Sequence, residues 1–463
     1  MALVYDDSAP ALVQEITSMW SSPPTQEDVE TSRFDVFPSL QVASASNDIE
    51  FTIPNASDGW LTDLSQSYIK YALTVDVSAN RAIAVTDVFS PLPHLSNTIW
   101  ERASLTANGT IVNDETSMAF YQTHVHDLMS KSRNQYLAED CSAWIPAPGT
   151  VDLLTASKES YGYLNSSQTK PDYLNMPTAA ASPYHFGKTC ALGDIIPVCN
   201  SKRLWPDRVS LRLRATRLPD PMLYAKEGTV GVAQLYTFVI TAAELHVRRV
   251  KLTEHSYKHM VAEFGLGKKV LIPHLNYRTA VVNFQAGQTQ LVARGVLPGA
   301  KPTRVIAFVC PTSHTSVARG WGTLVFGMSD PANPTVFPTR AFCETGGQTY
   351  PQRYMTSAQA SAPAPHAAWA DLDVAAAYQA YKQLAHPSDP VLTDADFRGR
   401  QMFCFDTSAS GSSGEAVYDP TEQTDISVTL DMAAATGTAQ SLFIISVTPR
   451  VISISASREI ERI

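Results

Sequence analysis

The sequence has no positive charge to spare. Thirty-five Lys and Arg stand against 44 Asp and Glu, a formal net charge of -9. A protein that grips nucleic acid along its body is usually basic, so direct, sequence-specific nucleic-acid binding is not expected. Cysteine is sparse: six in 463 residues (Cys141, Cys190, Cys199, Cys310, Cys343, Cys404), none in a C-x-x-C pair. That excludes zinc-ribbon and thioredoxin-type sites and a disulfide scaffold; the thiols read as buried, in a reducing compartment. No window approaches about 18 apolar residues, so no membrane-spanning helix is expected. The opening "MALVYDDSAPALVQEITSMW" lacks the positive start and continuous apolar core of a signal peptide. Catalytic motifs are missing too: there is no G-x-S-x-G, H-E-x-x-H, G-x-G-x-x-G or Walker A. No catalytic residue, metal ligand or cofactor is predicted, and the chain is not read as an enzyme.

What is present is a globular composition, 44% hydrophobic and 17% charged. Thirty prolines against 22 glycines point to many turns and long ordered loops. Period-two alternation dominates. "DIEFTIP" puts Ile49, Phe51 and Ile53 on one face, and "SYIKYALTVDVS" does the same with Ile69, Tyr71, Leu73, Val75 and Val77. Asn108–Gly109 is a hairpin signal, because both residues tolerate positive φ. Helical spacing appears twice, around Tyr121, Val125, Leu128 and Met129, and around Val374, Tyr378, Tyr381 and Ala385. Each half of the chain reads as strands, one helix, a long loop and more strands. The expected fold is all-β: two tandem eight-stranded antiparallel jelly rolls, with a short helix in each and long loop insertions.

The expected boundaries are an extended N-terminal arm over 1–47, a first jelly roll over 48–252, a linker over 253–268 and a second jelly roll over 269–463. Pro23–Pro24 stiffens the arm and cannot continue a helix. Residues 140–200, rich in Pro, Tyr, Ser and Thr, are expected to form a decorated loop or tower. Pro449 interrupts the last apolar run and is expected at a bulge or an edge.

Two features carry candidate function. "THVH" at 123–126 has the look of a metal cluster, but residues two apart on a helix point about 200° apart, so His124 and His126 are not expected to share an ion. Basic residues concentrate at Arg212 and Arg214 on one strand and at Arg248 and Arg249 on another. These four, with Pro23 and Pro24, are the candidate interface residues.

The order of segments also resembles a known family. "SSPPTQEDVETSRFDVFPSL", "IEFTIPNASDGWLTDLSQSYIKYALTV", "WERASLTANGTIVND", "LWPDRVSLRLRATR", "FVITAAELHVRRVKL", "AAAYQAYKQL", "DFRGRQMFCFD" and "VISISASREIERI" look like segments of capsid-like proteins of Maverick/Polinton elements and adintovirus-type viruses. The resemblance spans nearly the whole chain in the same order. It implies a double jelly-roll major capsid protein, similar in plan to adenovirus hexon. It further implies pseudo-hexagonal homotrimers that tile an icosahedral virion shell assembled inside the host cell. The partners it implies are neighbouring trimers, penton proteins and minor or cement proteins, and it allows an internal membrane beneath the shell. The alternatives are a minor capsid or penton protein, or a jelly-roll carbohydrate-binding protein. A penton is usually a single roll, which two matched halves argue against.

Overall fold

A computed structural model describes residues 28–40, 48–57, 59–77, 89–91, 97, 99–113, 119–133, 135, 184–218, 223–225, 236–312, 338–356, 373–385, 390–392, 402–408, 423–432 and 435–462. They form two jelly rolls of the same topology. In the first, β1 (Val29–Pro38), β10 (Tyr236–Leu252), β3 (Trp60–Val77) and β7 (Tyr184–Ala191) pair in that order in one antiparallel sheet. The facing sheet runs β2 (Asp48–Ile53), β8 (Leu211–Arg217), β5 (Trp100–Ala107), β6 (Thr110–Ile111). A small ribbon of β4 (Phe89–Pro91) and β9 (Leu223–Ala225) stands apart from both sheets.

The second roll repeats the plan. One sheet runs β11 (Val270–Phe284), β18 (Gln440–Ile454), β13 (Arg304–Pro311), β16 (Phe403–Asp406), with β19 (Ile460–Arg462) added alongside β18. The other runs β12 (Gln290–Ala300), β17 (Gln423–Met432), β14 (Pro338–Thr345), β15 (Gln348–Thr356). In both rolls the first, eighth, third and sixth of the eight main strands share a sheet, and the second, seventh, fourth and fifth share the other. A helix follows the fifth strand of each roll: α1 (Ala119–Ser130) in the first and α3 (Asp373–Leu384) in the second.

The local chemistry accounts for these elements. Asn108 and Gly109 take φ of 45° and 84° and close the β5–β6 hairpin. Between the rolls lies α2 (Glu254–Gly265), with Thr253 as its N-cap and Glu254 favourably placed in its first turn. It ends where Gly267, at φ 80°, adopts the left-handed turn and Lys268 N–H reaches back to Glu263 O. "GLGKK" is therefore a helix stop. Core residues come from the inward positions of both sheets in each roll, with Trp100, Trp205, Tyr121, Tyr381 and Phe308 among the largest fully buried side chains.

Two expectations need correction, and a third, for Pro449, holds. The first roll begins at Val29 and not at residue 48, because β1 pairs with β10 from Val29↔Leu252 to Pro38↔Glu244; only residues before 28 remain as a candidate arm, and they lie outside the described residues. Within 140–200, Tyr184–Ala191 is a sheet strand followed by short helical turns. Pro449 sits, as expected, at a local edge. It pairs with Leu275 inside β18, on a stretch of the opposite flank where β13 has ended at Val447 and β19 begins at Ile452. A residue without an N–H is tolerated where one flank lacks a partner strand.

Candidate assembly surfaces

The outward face of the β2–β8–β5 sheet is polar throughout its centre. Leu211, Leu213 and Ala215 point inward, and Arg212 and Arg214 point out. Arg212 reaches diagonally to Glu50 (Nη2–Oε1 2.7 Å) and Arg214 to Asp48 (Nη2–Oδ2 2.7 Å). Thr216 Oγ1 donates to the other Asp48 oxygen at 2.6 Å. The Thr216 hydrogen bond and the Arg214 guanidinium hold the Asp48 carboxyl below its usual range. The stripe is thus an alternation of both signs, without the surplus of positive charge that a nucleic-acid backbone requires.

Arg248 and Arg249 are neighbours on β10 and so point to opposite faces. Arg248 faces outward, half-buried, with its guanidinium on Asp63 at 3.1 Å. Arg249 is 2% exposed. Its guanidinium donates to Thr62 Oγ1 and to Pro54 O at 2.8 Å and lies 3.6 Å from Asp35. Burial lowers its pKa from the usual arginine value, an effect opposed by Asp35. The side chain is an internal tie between β1, β3 and the segment after β2, so its nomination as an interface residue is withdrawn. Pro23 and Pro24 lie outside the described residues.

Sequence reasoning missed the apolar part of the Arg248 face. Phe34 and Val36 on β1 are about half exposed, at 48% and 49%, and Leu40 just beyond is 60% exposed. The Phe34 ring lies 5.7 Å from Tyr68, which stacks on His246 at 4.7 Å. Register places Phe34 opposite Arg248 and Val36 opposite His246. Among the described strands β1 pairs only with β10, so its other edge is open. The signal was the alternation in "RFDVF", hidden because the segment reads as part of a polar arm.

The second roll's sheet is covered instead. Tyr121 of α1 packs on Phe443 (4.5 Å) and Phe308 (6.0 Å), whose rings stack at 5.0 Å. Gln122 donates to Thr279 Oγ1 at 2.9 Å, and His126 Nδ1 lies 2.9 Å from Tyr277 Oη. Tyr381 Oη of α3 donates to Leu128 O at 2.9 Å. Farther along, Arg458 lies over the Phe264 ring and pairs with Asp207 of the first roll. These contacts fasten the two rolls into one body. Burial lowers the His126 pKa, against the pull of Asp127 and Asp194, and raises that of Tyr277 to about 12.

The histidines behave as their helical spacing demands. His124 is fully buried, while His126 turns to the second roll. No group of three or more metal-ligating side chains occurs among the described residues. The described cysteines are free and buried, and burial pushes Cys343 and Cys404 up to about 12; Cys141 lies outside the described residues. No described helix is long and apolar enough to cross a membrane.

No family model matches the chain, and no curated protein matches it. Solved structures do. A chain of the Sputnik virophage structure aligns with a TM-score of 0.62 at 10% identity, over 96% of this chain and 90% of that one. A chain of the PBCV-1 virus capsid aligns at 0.51 and 8% identity, over 96% and 98%. The Faustovirus major capsid protein aligns at 0.50 and 9% identity, over 96% and 95%. At these identities the likeness is one of fold: over nearly its whole length this chain has the double jelly-roll architecture of those viral proteins.

Proposed function

We propose that this chain is a structural major capsid protein that forms pseudo-hexagonal homotrimers tiling an icosahedral shell. The observation that carries the reading is the repetition of one jelly-roll topology in two rolls fastened side by side, in an arrangement shared over 96% of the chain with the Faustovirus major capsid protein. Two rolls in each of three copies give six similar wedges, the shape a hexagonal lattice position needs. The chain is not an enzyme in this reading. Its resemblance in sequence order to the Maverick/Polinton and adintovirus type supports placing it in that group.

The surfaces divide the work. The face with Phe34, Val36 and Arg248 is the contact within the trimer, since apolar side chains on an open edge strand are what a subunit interface covers. The Arg212/Arg214 stripe, polar and self-neutralised, lies between neighbouring trimers, where contacts are made and broken during assembly. To the residues before β1, Pro23 and Pro24 among them, this reading assigns the contacts with neighbouring trimers or with penton and cement proteins. An internal membrane beneath the shell is compatible with this arrangement, and the virion is the site of function.

Negative-stain electron microscopy of the purified full-length protein tests the reading. Particles with a pseudo-hexagonal outline and three-fold symmetry are expected. Five-fold rings would mark a penton protein, and isolated two-lobed monomers at micromolar concentration would remove the shell role.

A further inference from the structure

The helical spacing that separates His124 from His126 brings another pair together. Of the eleven histidines, only His255 and His259 stand four residues apart. Both lie on α2, the helix between the rolls, and both are exposed. Side chains at i and i+4 of a helix sit one above the other, with Cβ atoms about 5–6 Å apart. The helix is held so that this side stays outward. Thr253 caps it. Ser256 Oγ donates to Asp28 Oδ1 at 2.6 Å, Tyr257 Oη donates to Asp207 Oδ2 at 2.9 Å, and Phe264 is buried beneath Arg458. Ser256, Tyr257 and Phe264 define the inner face, and His255 and His259 fall opposite to it. Among the described residues neither imidazole has a hydrogen-bond or ion-pair partner. The charges nearest the pair are matched, Lys258 with Glu254 at 2.6 Å and Lys268 with Glu263, so the cation that lies between the two histidines in sequence is offset.

We propose that His255 and His259 bind one divalent transition-metal ion as a two-point chelate on the surface of α2. Two histidines at i and i+4 on one helix face are the pair through which helical zinc sites grip their ion. Imidazole suits Zn²⁺, Ni²⁺ and Cu²⁺, whereas Mg²⁺ and Ca²⁺ require oxygen ligands. The helix supplies two ligands, fewer than the three or four of catalytic and structural zinc sites, so water fills the remaining positions. Ser256 stands where a hydrolytic H-E-x-x-H site carries its glutamate base, so the ion is bound without hydrolytic chemistry. The anchored inner face keeps the helix from turning, and the two rings are held side by side before the ion arrives, which lowers the ordering cost of binding. The inference stands independently of the capsid reading.

Calorimetric titration of the full-length, untagged, metal-free protein with ZnCl₂, NiCl₂ and CuCl₂ at near-neutral pH is the first arm. Saturable binding of one ion per chain is expected, tightest for Cu²⁺ in keeping with the general order of divalent metals. His255→Gln and His259→Gln are each expected to weaken binding about tenfold or more, since each leaves a single imidazole. Both side chains are exposed and make no hydrogen bond or ion pair among the described residues, so either replacement leaves the metal-free fold intact and the loss reports on the site. The second arm is pulsed electron paramagnetic resonance of the Cu²⁺ form, which should count two imidazole ligands in the wild type and one in either variant. Absence of saturable binding, undiminished affinity in the double variant, or a single imidazole on the wild-type ion overturns the proposal.

Discussion

The first strands of the two rolls occupy equivalent places and meet different fates. In the second roll, β11 pairs along fifteen residues with β18, and the sheet's face bearing Tyr277, Thr279, Phe308 and Phe443 is covered by α1 from the first roll. In the first roll, β1 pairs with β10, and its outward Phe34 and Val36 are about half exposed. The covered sheet has a central strand, β18, buried at nearly every position, as expected of a strand enclosed on both faces. The open sheet keeps alternation, apolar inward and mixed outward. One chain thus covers one sheet by itself and, among the described residues, leaves the other open.

Breaking the covered side gives the largest effect. Phe443→Ala removes a fully buried ring that touches both Tyr121 and Phe308. A loss of about 3–5 kcal/mol is expected in denaturant unfolding, with the two rolls unfolding in separate transitions as their shared packing fails. Arg249→Ala comes next. It strips Pro54, Thr62 and Asp35 of their common partner beneath the open sheet, and a loss of about 3 kcal/mol is expected in the same assay. Its effect on unfolding should greatly exceed that of Arg248→Ala, whose side chain lies on the exposed face.

The covered side is also expected to respond to pH. His126 has a folded-state pKa below the ordinary histidine value of about 6.5 because burial disfavours its charge. Below that value the unfolded chain binds the extra proton more readily than the folded one. His126 therefore makes stability fall as pH drops from 6.5 toward its folded-state pKa, and makes no further difference below that. His126→Gln should flatten this part of the stability profile; an unchanged slope would place the pH dependence elsewhere. The mildest perturbation is charge reversal at Arg212 and Arg214. These pairs are exposed, so chain stability should fall by about 1 kcal/mol or less in thermal melting. Trimers should persist, while light scattering of assembly mixtures becomes more salt dependent.

Much of this fold was legible in the sequence, for definable reasons. Strands with one buried and one solvent face announced themselves by alternation, as in β2, β3 and β8. The two long helices inside the rolls showed through Tyr121–Val125–Leu128 and Tyr378–Tyr381 spacing, and Asn108–Gly109 marked its hairpin. β7, "YHFGKTCA", was missed because Gly187 and Lys188 break its alternation and it lies at the end of a polar stretch. β1 was missed because its outward side chains, Phe34 and Val36 among them, do not follow the rule of polar outside. The surfaces were less legible still. Charge clusters are visible in a sequence, but their partners are not: Arg248 and Arg249 read alike, and only the pleat of β10 separates a half-buried residue on the outer face from an internal tie. The apolar half of the open face, Phe34 and Val36, carried no motif at all.

The most direct test is the solution mass of the wild-type protein and of the Phe34→Asp/Val36→Asp double variant, measured by light scattering at matched concentration. The wild type should have three times the 50.4 kDa of one chain. The variant should be a folded monomer, because both side chains already face solvent within the single chain and their change costs only the contact with another copy. A variant that remains trimeric would contradict the assignment of the open sheet, and a wild type that is monomeric would contradict the capsid reading itself.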